Sequence, residues 1–125
     1  MLNKGLRDEE KIRIDNVLKT LRTIVFVPKP MSESQKIEIE NQLKAFGLNI
    51  KTLVDYSNEE LITLLLRLHF DWDQLEQFAD FLMAFSKVEN YTFGEKALAI
   101  YQYIQQESKV FSFGINTKIT TAKNK

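Results

Sequence analysis

The sequence predicts an all-α fold: five to six helices stacked as antiparallel helical hairpins, or packed as an irregular bundle, in a single domain spanning residues 1–125. Three observations predict it. Apolar residues recur at spacings of three and four with polar residues between them, the period of an amphipathic helix. A helix-start signal, a capping residue followed three places on by Glu or Gln, occurs four times. The composition is 44% hydrophobic and 27% charged with only four Gly and two Pro, so the chain has the means to bury one core and few residues that interrupt helices.

The first helix is expected from about Asp8 to Phe26, where Ile14, Val17, Leu18, Leu21 and Val25 form one stripe and Arg13, Asp15, Lys19 and Arg22 fall elsewhere. The β-branched run through residues 24–27 reads equally as the helix end or as a short strand, and Pro28 with Pro30 stops whatever precedes them. The four start signals are Ser32 with Gln35, Ser57 with Glu60, Asp71 with Gln74 and Thr92 with Glu95. In each, the first side chain accepts from an orphan N–H of the first turn while the Glu or Gln reaches back to a second. Tyr56 with Leu61, and Phe70 with Leu75, fit hydrophobic staples at two of these starts.

Helices are therefore expected over about 32–46, 57–70, 71–86 and 92–108, with Gly47 closing the first of them in a left-handed conformation. A last short helix would begin near Ser112, and the polar, basic tail 120–125 is expected to fray. Leu61–Phe70 is apolar on nearly every side and is expected at the centre of the core, packed antiparallel on the helix that carries Trp72, Leu75, Phe78, Phe81, Leu82 and Phe85. The helix over 92–108 turns Ala97, Ile100, Tyr101 and Ile104 inward. Tyr91-Thr92-Phe93-Gly94 is echoed by Phe111-Ser112-Phe113-Gly114, which predicts two corners of similar build.

Phe46-Gly47-Leu48-Asn49-Ile50, Tyr56-Ser57-Asn58-Glu59-Glu60-Leu61 and Ala79-Asp80-Phe81-Leu82 together resemble a group of small bacterial all-helical proteins of unknown function. The C-terminal halves of that group are similar to tetratricopeptide helix pairs, as is the pattern Ala97, Leu98, Ile100, Tyr101, Ile104. The resemblance covers roughly residues 40–105 and implies a helical scaffold without an active site. The chain departs from the tetratricopeptide pattern in that no repeat of about 34 residues can be laid along it twice.

With no Cys there is no disulfide, thiol nucleophile or thiolate zinc site, and one His leaves little for imidazole-based metal binding. No cofactor or metal is expected. The N-terminal segment lacks the apolar stretch of a secretory signal, no run approaches the length of a membrane span, and a cytoplasmic location is the default expectation. The formal net charge is zero, but residues 1–30 and 91–125 each carry +3 while 31–60 and 61–90 each carry −3. This pattern predicts basic terminal helices lying beside acidic central ones. A nucleic-acid footprint on Lys4, Arg7, Lys11, Arg13, Lys19 and Arg22, or on the Lys118–Lys125 tail, is the less favoured alternative, because such surfaces are more strongly basic.

Three groups are candidates for function. His69, Asp71 and Asp73 would place an imidazole near two carboxylates, as a metal site or acid–base pair requires, but Asp71 is also the expected helix cap. Asp73, Glu76 and Asp80 recur at helical spacing and read as a solvated stripe or as a docking face for a basic partner. The aromatics Tyr91, Phe93, Tyr101, Tyr103, Phe111 and Phe113 read mainly as core and corner packing; Tyr103, offset from the Ile100–Ile104 stripe, is the candidate for a partner-binding surface. The sequence thus predicts a non-enzymatic protein-interaction module or helical scaffold, acting through a protein partner or self-association. A nucleic-acid-associated or small-ligand-binding protein is the alternative.

Overall fold

The computed structural model describes residues 2–26, 32–89, 92–108 and 112–123. Within them the chain forms α1 (Leu2–Val25), α2 (Glu33–Leu43) continued by a 3₁₀ turn (Lys44–Phe46), α3 (Ile50–Asp55), α4 (Asn58–Arg67), α5 (Trp72–Glu89), α6 (Gly94–Ser108) and α7 (Phe113–Lys123). There is no strand among the described residues, and no helix among them is long and apolar enough to cross a membrane. Residues 24–25 end α1 as helix, whereas Val27, Pro28 and Pro30 lie outside the described residues, as do Tyr91, Phe111 and residues 124–125.

Local side-chain chemistry sets most of the helix starts. Ser32 accepts from the Gln35 N–H and Ser57 from the Glu60 N–H, and in both the longer side chain returns to the cap's own N–H. Asp71 Oδ1 accepts from the Gln74 N–H at 2.8 Å while Gln74 Oε1 accepts from the Asp71 N–H at 3.0 Å. The expected box at Thr92 is not made. The helix begins instead at Gly94, and the Phe93 N–H donates to Ser86 Oγ of the preceding helix at 2.9 Å. Ser112 does act as a cap, accepting from the Ile115 N–H at 3.2 Å, so the two echoed tetrapeptides enter their helices one residue out of step.

Five to six helices were expected, and the seventh is α3. Asn49 caps it by accepting from the Thr52 N–H, and Thr52 Oγ1 accepts in return from the Asn49 N–H, both at 2.8 Å. Threonine at the third helical position performs the task that a search for Glu or Gln passes over.

The core centres on α5 rather than α4. Leu75, Phe78, Ala79, Phe81, Leu82 and Phe85 have no exposed surface, whereas in α4 only Leu61 and Leu65 are fully buried and Leu66 is exposed. A file of rings runs the length of α5: Phe46 and Phe70 meet edge-on at 5.1 Å, both approach Phe78, and Phe81–Phe85 and Phe85–Phe93 continue it at 5.4 and 5.7 Å. Each such pair contributes about 0.5–1.5 kcal/mol beyond the area it buries.

Two helices flank α5 in opposite senses. α6 returns antiparallel to it, with Phe93 beside Ser86, Tyr101 beside Asp80 and Tyr103 beside Trp72. α1 runs in the same direction as α5, with Lys11 beside Asp71, Asp15 beside Gln74 and Arg22 beside Gln77. α7 packs on α6 through a helix face that buries Ile115, Ile119 and Ala122, so the chain is helical through Lys123. α4 does not form the expected antiparallel pair with α5; its main neighbour is α6. The two helices join at a tight corner over residues 68–71.

Candidate functional site

That corner carries the densest polar cluster predicted from sequence. Two hydrogen bonds end α4, from the His69 N–H to the Leu66 carbonyl (3.0 Å) and from the Phe70 N–H to the Leu65 carbonyl (3.2 Å), which require a left-handed residue at His69. Its φ is +70°, the one positive value among the described non-glycine residues. The exposed His69, with Glu10, Lys11, Asp71 and Gln74, borders a cleft of about 460 Å³.

The expected juxtaposition of His69, Asp71 and Asp73 is broken up by this geometry. Asp71 is turned to the Gln74 backbone N–H and lies 3.6 Å from Lys11 Nζ, while Asp73 accepts from Gln77 Nε2 at 2.8 Å. No group of three or more His, Cys, Asp or Glu side chains among the described residues is placed to hold a metal ion. Gln74, absent from the sequence-derived candidates, is the buried hub of the corner at 1% exposure. Its Nε2 donates to the Lys11 carbonyl (3.3 Å) and Asp15 Oδ1 (2.9 Å), tying the start of α5 to α1.

The second group lies on the outer seam between α5 and α6. Asp80, whose side chain is 19% exposed, accepts from the Tyr101 hydroxyl at 2.6 Å and from Lys118 Nζ of α7 at 3.1 Å. Lys118 also donates to Glu76, and its ammonium stands 6.0 Å from the Tyr101 ring centroid. Glu76 and Asp80 are therefore not a solvated stripe with Asp73: Asp73 is exposed, whereas the other two are half-buried and hold α7 in place. Burial of the Tyr101 hydroxyl, reinforced by its bond to Asp80 and by the charges of Asp80 and Glu76, pushes its pKa well above the usual phenol range. Burial of Lys118 disfavours its charge, but bonds to Glu76 and Asp80 and their negative charge outweigh this and raise its pKa.

One turn beyond Glu76 the same seam is uncovered. Tyr103 of α6, the residue singled out from sequence, is half-buried against Trp72 of α5, with ring centroids 6.1 Å apart and planes inclined at 45°. Trp72 was expected among the core residues of its helix; it is 43% exposed. Asp73 follows it in sequence, its carboxylate bonded to Gln77, whose Oε1 accepts from Arg22 of α1. The pairing of Trp72 with Tyr103 has no signal in the sequence, because it depends on the antiparallel register of α5 and α6.

The charge pattern has a structural counterpart. Lys11 and Lys118, from the basic ends, sit on Asp71, Glu76 and Asp80 of the acidic middle. Of the α1 residues in the nucleic-acid alternative, the Lys4 and Arg7 side chains lie outside the described residues, and Arg22 folds over the Phe26 ring with Nη1 directed to Gln77. Compared with known proteins, the chain matches no family model, no curated protein and no solved structure.

Proposed function

We propose that the chain is a non-enzymatic interaction module that docks a protein partner on the outer α5–α6 seam at Trp72 and Tyr103. The observation that carries this reading is an aromatic pair on the seam: two large, rigid side chains from different helices, the indole of Trp72 exposed and Tyr103 half-buried against it. Such residues anchor protein interfaces because they contribute much contact area with few torsions to fix. The resemblance of residues 40–105 to small all-helical proteins whose C-terminal halves are similar to tetratricopeptide helix pairs points to the same scaffold role. Nucleic acid is the less favoured partner, since Lys11 and Arg22 are engaged within the fold.

A small-ligand site in the corner cleft is the second reading, favoured by the exposed His69 beside Glu10 and Lys11 along its border. Against it, Asp71 and Gln74, which border the cleft, already pair with Lys11, with each other and with Asp15.

The test is affinity capture from the native lysate with the intact protein, Tyr103→Ala and, as a surface control on α1, Ile12→Ser. A partner retained by the intact protein and Ile12→Ser but lost with Tyr103→Ala supports the docking face. Equal recovery by all three refutes it. Light scattering on the same variants covers self-association: a concentration-dependent dimer abolished by Tyr103→Ala makes a second copy the partner.

A further inference from the structure

We infer that α7 is a C-terminal strap that folds only as it docks: it leaves α6 and loses its helix in one local opening while α1–α6 stay folded, and Lys118 is the latch. The strap works independently of any docking at Trp72. The sequence of α7 gives it little reason to be helical by itself. Gly, Ile, Asn or Thr, all poor helix formers, fill seven of its 11 positions. Its start is capped from one side only: Ser112 accepts from the Ile115 N–H, but isoleucine has no polar group to return, whereas the starts of α2, α3, α4 and α5 carry reciprocal pairs. Further along, Thr120 and Thr121 turn their hydroxyls back onto the Asn116 and Thr117 carbonyls, which loosens a helix. A segment this short is marginal in water even when rich in alanine, so the helix exists because of its seat.

That seat is narrow. The buried apolar side chains of α7 among the described residues are Ile115, Ile119 and Ala122, a single row facing α6. Its hydrogen bonds to other helices among the described residues both come from Lys118, to Glu76 and Asp80 of α5. Release of α7 therefore uncovers one row, while Phe78, Phe81 and Phe85 of α5 stay enclosed between α1 and α6. The latch acts because opening takes the ammonium away from two half-buried carboxylates one turn apart, leaving them to face each other without a counter-charge.

Hydrogen exchange of the intact chain, in urea kept below the unfolding transition, tests the strap. Amides from Asn116 onward should exchange as one group, slower than in an unstructured peptide but more than about tenfold faster than those of Phe78–Phe85. Urea should change the α7 rates little and the α5 rates steeply, because the local opening exposes little new surface. Lys118→Met should speed α7 exchange about tenfold. Thr120→Ala and Thr121→Ala, at exposed positions off the buried row, should each slow it about threefold, the gain in helix propensity.

Circular dichroism confirms that each variant keeps its helices. Protection and urea response in α7 equal to those of α5 overturn the strap, since α7 would then open only with the whole fold. Exchange at the rate of an unstructured peptide overturns it as well, because α7 would not be docked. Unchanged α7 exchange in Lys118→Met overturns the latch, and unchanged exchange in both alanine variants overturns the coupling of helix formation to docking.

Discussion

His69 at the end of α4 occupies the same backbone state as Gly47 after the 3₁₀ turn, with φ of +70° and +71°. The hydrogen bonds match as well. The Gly47 N–H donates to the Lys44 carbonyl and the Leu48 N–H to the Leu43 carbonyl, as His69 does to Leu66 and Phe70 to Leu65. In each motif the residue after the left-handed one is apolar and buried, Leu48 in one and Phe70 in the other. One site has the residue suited to the conformation and the other does not.

Replacing His69 by Gly should therefore stabilise the protein, by about 0.5–1 kcal/mol, since relief of the left-handed strain is partly offset by the greater freedom of Gly in the unfolded chain. His69→Ala should change little, because alanine keeps the strain. Gly47→Ala should cost about 1 kcal/mol for backbone reasons alone, since an added Cβ meets nothing within 4 Å. Urea denaturation of the three variants checks the ordering; a destabilised His69→Gly would contradict it.

Gln74→Leu should destabilise by about 1–2 kcal/mol although it preserves bulk and adds apolar character, because the Asp71 N–H and the Lys11 carbonyl both lose a side-chain partner that is itself buried. Hydrogen exchange should quicken in α1 and in the first turn of α5 more than in α7. Uniform acceleration across all helices would show that Gln74 is not the local tie.

Lys118→Met removes the ammonium shared by Glu76 and Asp80 and leaves two carboxylates close together in a half-buried site. With the Lys118 side chain 35% exposed, solvent screening holds the expected loss to about 1–2 kcal/mol. Combining it with Glu76→Gln should recover part of that loss. The check is a double-mutant cycle, in which additive effects would deny the coupling.

Tyr101 and Lys118 both have raised pKa values, so the folded state holds these protons more tightly than the unfolded state does. Their contribution is complete below the unfolded values near ~10 and falls as pH rises beyond them. Melting temperature should therefore drop on the alkaline side. Tyr101→Phe should be less stable at neutral pH by about 1–2 kcal/mol, having lost a donor to Asp80, and should decline less steeply in alkali. A parallel alkaline decline in both proteins would assign the effect to other groups.

What could be read from the sequence was what depends on a few neighbouring residues. The boxes at Ser32, Ser57 and Asp71, the Gly47 closure and the inward stripes of α1 and α6 all follow from contacts within about one turn. α3 was missed because Thr52 reciprocates Asn49 through a short hydroxyl rather than a long carboxylate or amide. The central place given to α4 failed because leucine content measures the capacity for burial, not its occurrence: Leu66 faces outward while α5 is enclosed by α1 and α6. Tyr103 is singled out by its offset from a stripe, but its ring neighbour Trp72, the seating of Lys118 and the role of Gln74 all depend on pairings more than twenty residues apart.

The alignment of α1 alongside α5 orders the events of synthesis. Lys11 and Gln74 are 63 residues apart, so α1 can settle early on α2 but meets its larger surface, α5, only after three further helices and a corner have been made. Until then much of its stripe of Ile14, Val17, Leu18, Leu21 and Val25 stays uncovered. The nascent chain is most vulnerable to chaperone capture and aggregation in that interval, and mutations that slow the closing of Gln74 onto α1 lengthen it.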